Sequence, residues 1–208
     1  MEEAFANVPA LPGVTCIAPD VSASMTWGTF SRRGLARFVD IAALFAAAAL
    51  RRAEHPILLP FDHQVVEVEL SLRDPLATTA GRLLSIGGGG TALAAPITFL
   101  SGRSVRVDTF IGITDNEEWA CGSGGHGREA GFLDAWRRYR RAVNPDARAF
   151  LLTIAPYHHA VAPSSEPGVT YLYGWSDAVL GFIADALAGP DAQMAAVRAT
   201  ELERDGAP

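Results

Sequence analysis

Short apolar runs recur along this chain, and all but one neighbouring pair of them is separated by enough sequence for a helix. That rhythm restricts the fold more than any single motif. The runs fall at 14–18, 57–59, 65–70, 107–113, 149–154 and 169–173. Between them the apolar spacing turns helical. Over 34–54, Leu35, Phe38, Ala42, Phe45 and Ala49 share one face at three-and-four spacing. Pro75 opens a second helix that ends before Gly87, a third covers 92–100, Phe132, Trp136 and Tyr139 mark a fourth, and a fifth covers 176–187. Strands that alternate with helices predict an α/β fold with a doubly wound, mostly parallel sheet and helices on both faces. The exception is 65–70, where apolar and acidic residues alternate and the preceding run is close. That pattern predicts a half-exposed strand paired antiparallel at one edge, for six strands in all. Residues 1–12 read as an extended lead-in, 13–188 as the domain, and 189–208, after Gly189-Pro190, as a tail.

A chain of 208 residues, 49% of them hydrophobic, can bury one substantial core. Its richest apolar stretch, 41–50, is too short to span a membrane. Met1-Glu2-Glu3 does not resemble a secretory leader, and Cys16 and Cys121 do not make a disulfide framework. A cytoplasmic protein is expected. The net charge of −6 opposes nonspecific binding to nucleic acid. All seventeen basic residues are arginine. The lack of lysine excludes a P-loop lysine, a Schiff-base lysine and the lysine with which phosphoaspartate enzymes meet phosphate.

Three polar pieces sit where elements should end or begin: Asp20-Val21-Ser22-Ala23-Ser24, Gly89-Gly90-Thr91 and Thr114-Asp115-Asn116. In doubly wound sheets ligands bind outside the carboxyl ends of the strands, at the switch in strand order. If the strands before Asp20 and Asp115 are neighbours, both carboxylates lie on one rim. Ser22 and Ser24 are two apart, so an extended turn points both hydroxyls one way. Singly, Asp and Ser at such turns are ordinary caps. Together, Asp20, Ser22, Ser24, Thr91 and Asp115 form an all-oxygen set suited to a hard cation, Mg²⁺ or Mn²⁺.

The same residues resemble the metal-ion-dependent adhesion site of von Willebrand factor A (vWA) domains. The longer strings Asp20-Val21-Ser22-Ala23-Ser24-Met25-Thr26-Trp27, Gly89-Gly90-Thr91, Val107-Asp108-Thr109-Phe110 and Thr114-Asp115-Asn116-Glu117 resemble the C-terminal A domain of the Ro ribonucleoprotein (TROVE) family. The resemblance implies a Rossmann-like vWA fold and a bound divalent metal. Ser22, Ser24 and Thr91 would touch the ion, with Asp20 and Asp115 acting directly or through water. Ala23 stands where Ro proteins usually have glycine. Ro proteins also carry a ring of helical repeats that binds RNA. With no room here for that ring, RNA is expected to bind weakly or through a separate one.

Gly122-Ser123-Gly124-Gly125-His126-Gly127 matches the dinucleotide fingerprint G-x-G-x-x-G, but Asp115 to Cys121 separate it from the preceding strand. The fingerprint has to turn straight from strand into helix, so a surface loop is expected instead. With Trp27, its residues Glu117, Trp119 and His126 would form the rim of the ligand site. Arg137, Arg138, Arg140 and Arg141 interleave with Trp136 and Tyr139 as in a nucleic-acid patch. Helical geometry separates them. The aromatics fall on the buried stripe, and the arginines suit the negative end of the helix dipole. Two adjacent histidines, His158 and His159, do not make a metal site.

The expected function is a noncatalytic, metal-dependent interaction module whose protein partner offers an Asp or Glu carboxylate. Two alternatives are an RNA-binding Ro-like fragment and a Mg²⁺-dependent phosphoryl-transfer enzyme with Asp20 as nucleophile. The enzyme reading lacks a lysine, and no acid follows Asp20 at a spacing of two.

Overall fold

The computed structural model describes residues 9–29, 36–69, 74–115, 131–155 and 166–189, with Met194 and Arg198. Five strands form one sheet: β1 (Leu11–Pro19), β2 (Ala53–Leu58), β3 (Thr109–Thr114), β4 (Arg148–Thr153) and β5 (Val169–Tyr173). The helices are α1 (Ala23–Trp27), α2 (Phe38–Arg52), α3 (Leu76–Leu83), α4 (Ala94–Gly102), α5 (Phe132–Ala142) and α6 (Asp177–Ala188). Strand order is β2-β1-β3-β4-β5, with every pairing parallel. The chain leaves β1 in one direction to build β2, then crosses back to build β3, β4 and β5. The switch point therefore falls between β1 and β3.

Two expectations are corrected. The sheet has five parallel strands, not six with an antiparallel edge, among the described residues. Phe61 and Val65 make an isolated antiparallel bridge, and the Val66 amide donates to the Pro60 carbonyl. No ladder follows. Val66 and Val68 pack against the core beside α2, and Val65 against the opposite one. The alternation at 65–69 thus reports burial of the valines rather than strand pairing. The second correction concerns the break between the helix expected over 34–54 and the run at 57–59, where His55-Pro56 would part the two. Instead α2 passes straight into β2 at Ala53, and Pro56 lies inside the strand opposite Thr15. An edge strand tolerates proline because half of its amides face away from the neighbour. β1 runs from Leu11, longer than the apolar run at 14–18, with a register shift between Leu11 and Val14.

Two cores cover the sheet. On one face α2, α3 and α6 pack on Ile17, Ile111, Ile113, Phe150 and Leu152. The alanines at 42, 43 and 46–49 are buried there, which lets α2 lie close to the strands. On the other face α4 and α5 cover Cys16, Phe110 and Leu151. Phe132, Trp136 and Tyr139 form a buried column, with stacked centroids 6.1 and 5.8 Å apart. The Tyr139 hydroxyl accepts from the Val107 amide at 2.7 Å and donates to the Val105 carbonyl at 3.0 Å. The aromatics of the Arg-rich helix are therefore core, as their spacing predicts. Each contributes on the order of 2 kcal/mol by burial. Their arginine neighbours work at the surface. Arg137 pairs with Glu166 at 2.6 Å, and Arg140 donates to the carbonyls of Pro145 and Pro167.

Candidate metal centre

Pro19 pairs with Ile113 at the last rung of β1 and β3, which brings Asp20 level with Thr114 and puts Asp115 one residue beyond. The Asp20 amide continues the ladder to the Ile113 carbonyl at 2.8 Å. Its carboxylate folds inward and is fully buried. Oδ1 accepts from the Ser22 amide at 2.8 Å, and Oδ2 accepts from the Thr114 hydroxyl at 2.8 Å. The first bond is a tight Asx turn that leads the chain from strand into α1. Ser22 stands just ahead of that helix in extended conformation, φ −66° and ψ 171°. The hydroxyls of Ser22 and Ser24 consequently lie together, 3.1 Å apart.

The glycine loop is fastened to this turn by backbone bonds. The Ala23 amide donates to the Gly89 carbonyl at 2.9 Å, and the Gly88 amide to the Val21 carbonyl at 2.8 Å. Asp62, buried just after the isolated bridge between Phe61 and Asp20, holds the loop from its other side. Its Oδ2 accepts from the Gly89 amide at 3.1 Å, and its carbonyl accepts from the Ala92 amide at 2.8 Å. His63 Nδ1 lies 2.9 Å from Asp62 Oδ1. A Cβ on Gly89 would stand 2.7 Å from Asp62 Oδ2 and closer still to His63 Nδ1, so only glycine permits this approach. Thr91, the candidate ligand of this loop, is buried between the two fastenings. In the sequence Asp62 falls in the short gap between the runs at 57–59 and 65–70, the place of an ordinary turn. Its tie to Gly89 spans 27 positions, and no local pattern announces it.

Burial pushes the Asp20 carboxyl up to about 7. Hydrogen bonds from the Ser22 hydroxyl and amide pull it down, the neighbouring charge of Asp115 raises it again, and the Thr114 bond lowers it. Two buried acids, Asp20 and Asp115, thus share one rim, a conflict that a cation would relieve. The donor set fits a hard ion. It contains only hydroxyl and carboxylate oxygens, with two acids in it, and no group of three or more His, Cys, Asp or Glu gathers anywhere among the described residues. Ser22, Ser24, Thr91 and Asp115 could hold such an ion. Asp20, with both oxygens already engaged, would act through water.

Trp27, the one described member of the expected rim, is 84% exposed at the end of α1. Glu117, Trp119 and His126 lie outside the described residues, as do Cys121, the glycine run at 122–127, His158 and His159.

A parallel α/β domain with a polar rim at the switch point between β1 and β3 belongs to the doubly wound class. The chain belongs to the Ro60 vWA domain family, whose pattern matches residues 15–186. It is similar to the RNA-binding protein RO60 of Deinococcus radiodurans, at 35% identity over 118 residues, covering 56% of this chain and 22% of that protein. It is also similar to the RNA-binding protein RO60 of Caenorhabditis elegans, at 24% identity over 192 residues, covering 90% of this chain and 28% of that protein. The chain thus spans roughly a quarter of the length of these relatives. Among solved structures, the crystal structure of Deinococcus radiodurans RO (RSR) protein superposes with a TM-score of 0.69 at 22% identity, over 88% of this chain and 36% of that one. The PilB minor pilin from Streptococcus sanguinis superposes at 0.52 with 10% identity, over 86% of this chain and 62% of that one. Both likenesses concern the fold. No helix of the described residues is long and apolar enough to cross a membrane.

Proposed function

We propose that this domain is a noncatalytic, divalent-metal-dependent protein-interaction module of the cytoplasm, working with Mg²⁺ or Mn²⁺. The observation that carries the reading is the fastening of three loops around buried Asp20 at the switch point. It brings Asp20 together with the hydroxyls of Ser22, Ser24 and Thr114 and ties the backbone of the Thr91 loop beside them. Neutral Ser22, Ser24 and Thr91 would supply most of the direct contacts, leaving the ion with uncompensated positive charge. A carboxylate from another protein would complete its coordination. Asp20 is badly presented for nucleophilic attack, since it is fully buried with both oxygens hydrogen-bonded. The test is direct titration of chelator-stripped protein with Mn²⁺, read by calorimetry, on wild type and Thr91→Ala. Saturable binding in the first and its loss in the second are expected. No binding to the wild type would sink the reading.

A second reading is RNA association, motivated by the printed description of both relatives as RNA-binding proteins. Against it stand the net charge of −6 and the buried aromatic column of α5. Fluorescence anisotropy with a single-stranded RNA separates the two. Tight binding at 150 mM salt, lost in Arg138→Ala or Arg141→Ala, would favour this second reading.

A further inference from the structure

Beyond the isolated bridge at Phe61 and Val65, the 65–69 segment adds no ladder to the sheet edge among the described residues. Between that segment and α4 lies a cleft of about 690 Å³. A volume of this order is usual for small-molecule sites. Its floor is one face of the first turns of α4, where Ala94, Ala95, Thr98 and Phe99 follow at helical spacing. Alanine at 94 and 95 keeps that floor low. Strand order puts α4, which crosses from the β2 side to β3, between the sheet edge and α5, which crosses from β3 to β4. One wall is therefore the 63–67 segment, and the other holds Arg138 of α5. The walls face each other across one helix, on the order of 10 Å.

The polar groups on the two walls differ in kind. On the first, His63 Nδ1 lies 2.9 Å from Asp62 Oδ1. A carboxylate accepts hydrogen bonds and does not donate them, so Nδ1 carries the proton and the neutral ring keeps Nε2 as an acceptor. Asp62 is itself held by the amides of Gln64 and Gly89, which steadies the imidazole from behind. Glu67 adds a carboxylate to the same wall. Two acceptors here suit a ligand that donates hydrogen bonds. Across the cleft Arg138 offers a guanidinium, whose fork suits a carboxylate or a phosphate. Among the described residues no ion pair joins Arg138 to Glu67 or to any other acid, whereas Arg137 beside it is bound to Glu166. The middle of the cleft is apolar. There the Phe99 ring is steadied by Arg103, 3.7 Å from its centroid, and a flat ring can lie between it and the alanines.

We propose that this cleft is a small-molecule site for an amino-substituted aromatic ring that carries a carboxylate or a phosphate. The amine meets His63 and Glu67, the ring lies on Ala95 and Phe99, and the anion meets Arg138. The inference does not rest on the metal-dependent reading, since none of Asp20, Ser22, Ser24, Thr91 and Asp115 lines the cleft.

Saturation-transfer NMR on the intact chain in EDTA provides the test, with para-aminobenzoate, benzoate, AMP and adenosine as probes. Para-aminobenzoate should bind at least threefold more tightly than benzoate, which lacks the amine, or AMP at least threefold more tightly than adenosine, which lacks the anion. The pair that shows this preference identifies the anion as an aryl carboxylate or a phosphate ester. Arg138→Ala should weaken the preferred probe tenfold or more. Ala95→Leu, which fills the floor from a partly exposed position, should abolish its binding and leave the melting temperature unchanged. Glu67→Gln should reduce the preference for the amine. No binding of either anionic amine at millimolar concentration would refute the site. Benzoate and adenosine that bind as well as their counterparts would overturn the ligand class. A probe that binds Ala95→Leu as tightly as wild type would lie outside the cleft and refute the proposal.

Discussion

The Thr114 hydroxyl donates to Asp20 Oδ2 across the junction of β1 and β3, at 2.8 Å and fully out of solvent. The bond couples the two halves of the sheet at the site itself. It also fixes which carboxylate oxygen is left to the Ser22 turn.

Removing that hydroxyl while keeping the side-chain shape should expose its value. Thr114→Val is expected to destabilise the domain by about 1–3 kcal/mol, since a buried carboxylate loses a donor. Urea denaturation measures it. A change under about 0.5 kcal/mol would mean that the bond is replaced without cost.

Saturating Mg²⁺ should stabilise the fold. At about a hundredfold above the dissociation constant, binding contributes roughly 2.7 kcal/mol. That corresponds to about 5–10 °C in melting temperature for a domain of this size. Ser24→Ala, at a partly exposed candidate ligand, should lose most of the shift and keep the metal-free melting curve. Equal melting with Mg²⁺ and with EDTA in the wild type would contradict the metal site.

In chelator, stability should depend on pH through Asp20. Its folded value, pushed up to about 7 from an ordinary 3.8, means that the folded state holds the proton more tightly than the unfolded chain. Stability from this group is therefore complete below about pH 4 and lost as pH rises through about 7. Asp20→Asn should flatten that limb of the curve. Denaturation midpoints in EDTA at intervals from pH 4 to 8 provide the check, and a metal-free protein that gains stability across this window would reverse the sign.

Two glycines should respond in opposite ways. Gly89→Ala forces the Asp62–His63 turn away from the loop, and a loss of about 1–3 kcal/mol together with Mn²⁺ binding is expected. Gly81→Ala, in the exposed last turn of α3, meets nothing within 4 Å and should add about 0.5–1 kcal/mol. Thermal melts of the pair, run side by side, test the contrast. A neutral Gly89→Ala would show that the close approach does not hold the loop.

Much of the candidate site's placement was legible because its pieces are contiguous strings at strand ends. Asp20 and Asp115 each follow an apolar run, and once β1 and β3 are neighbours the rim follows from register alone. What escaped was long-range. Asp62 reads as a turn residue, and only the folded chain brings it to Gly89. The 65–69 stretch failed for a related reason. Alternation records which side chains are buried, and Val66 and Val68 find that burial without a strand partner.

The tie from Thr114 to Asp20 closes a loop of 94 positions. Contacts so distant in sequence form after the local ones during folding, because the entropy of closing the loop has to be overcome first. The site cannot exist in a nascent chain until β3 has emerged and docked beside β1. A bound ion would then act on the finished structure alone, slowing its unfolding while leaving the folding rate nearly untouched. Metal would set how long the domain persists, not how fast it is made.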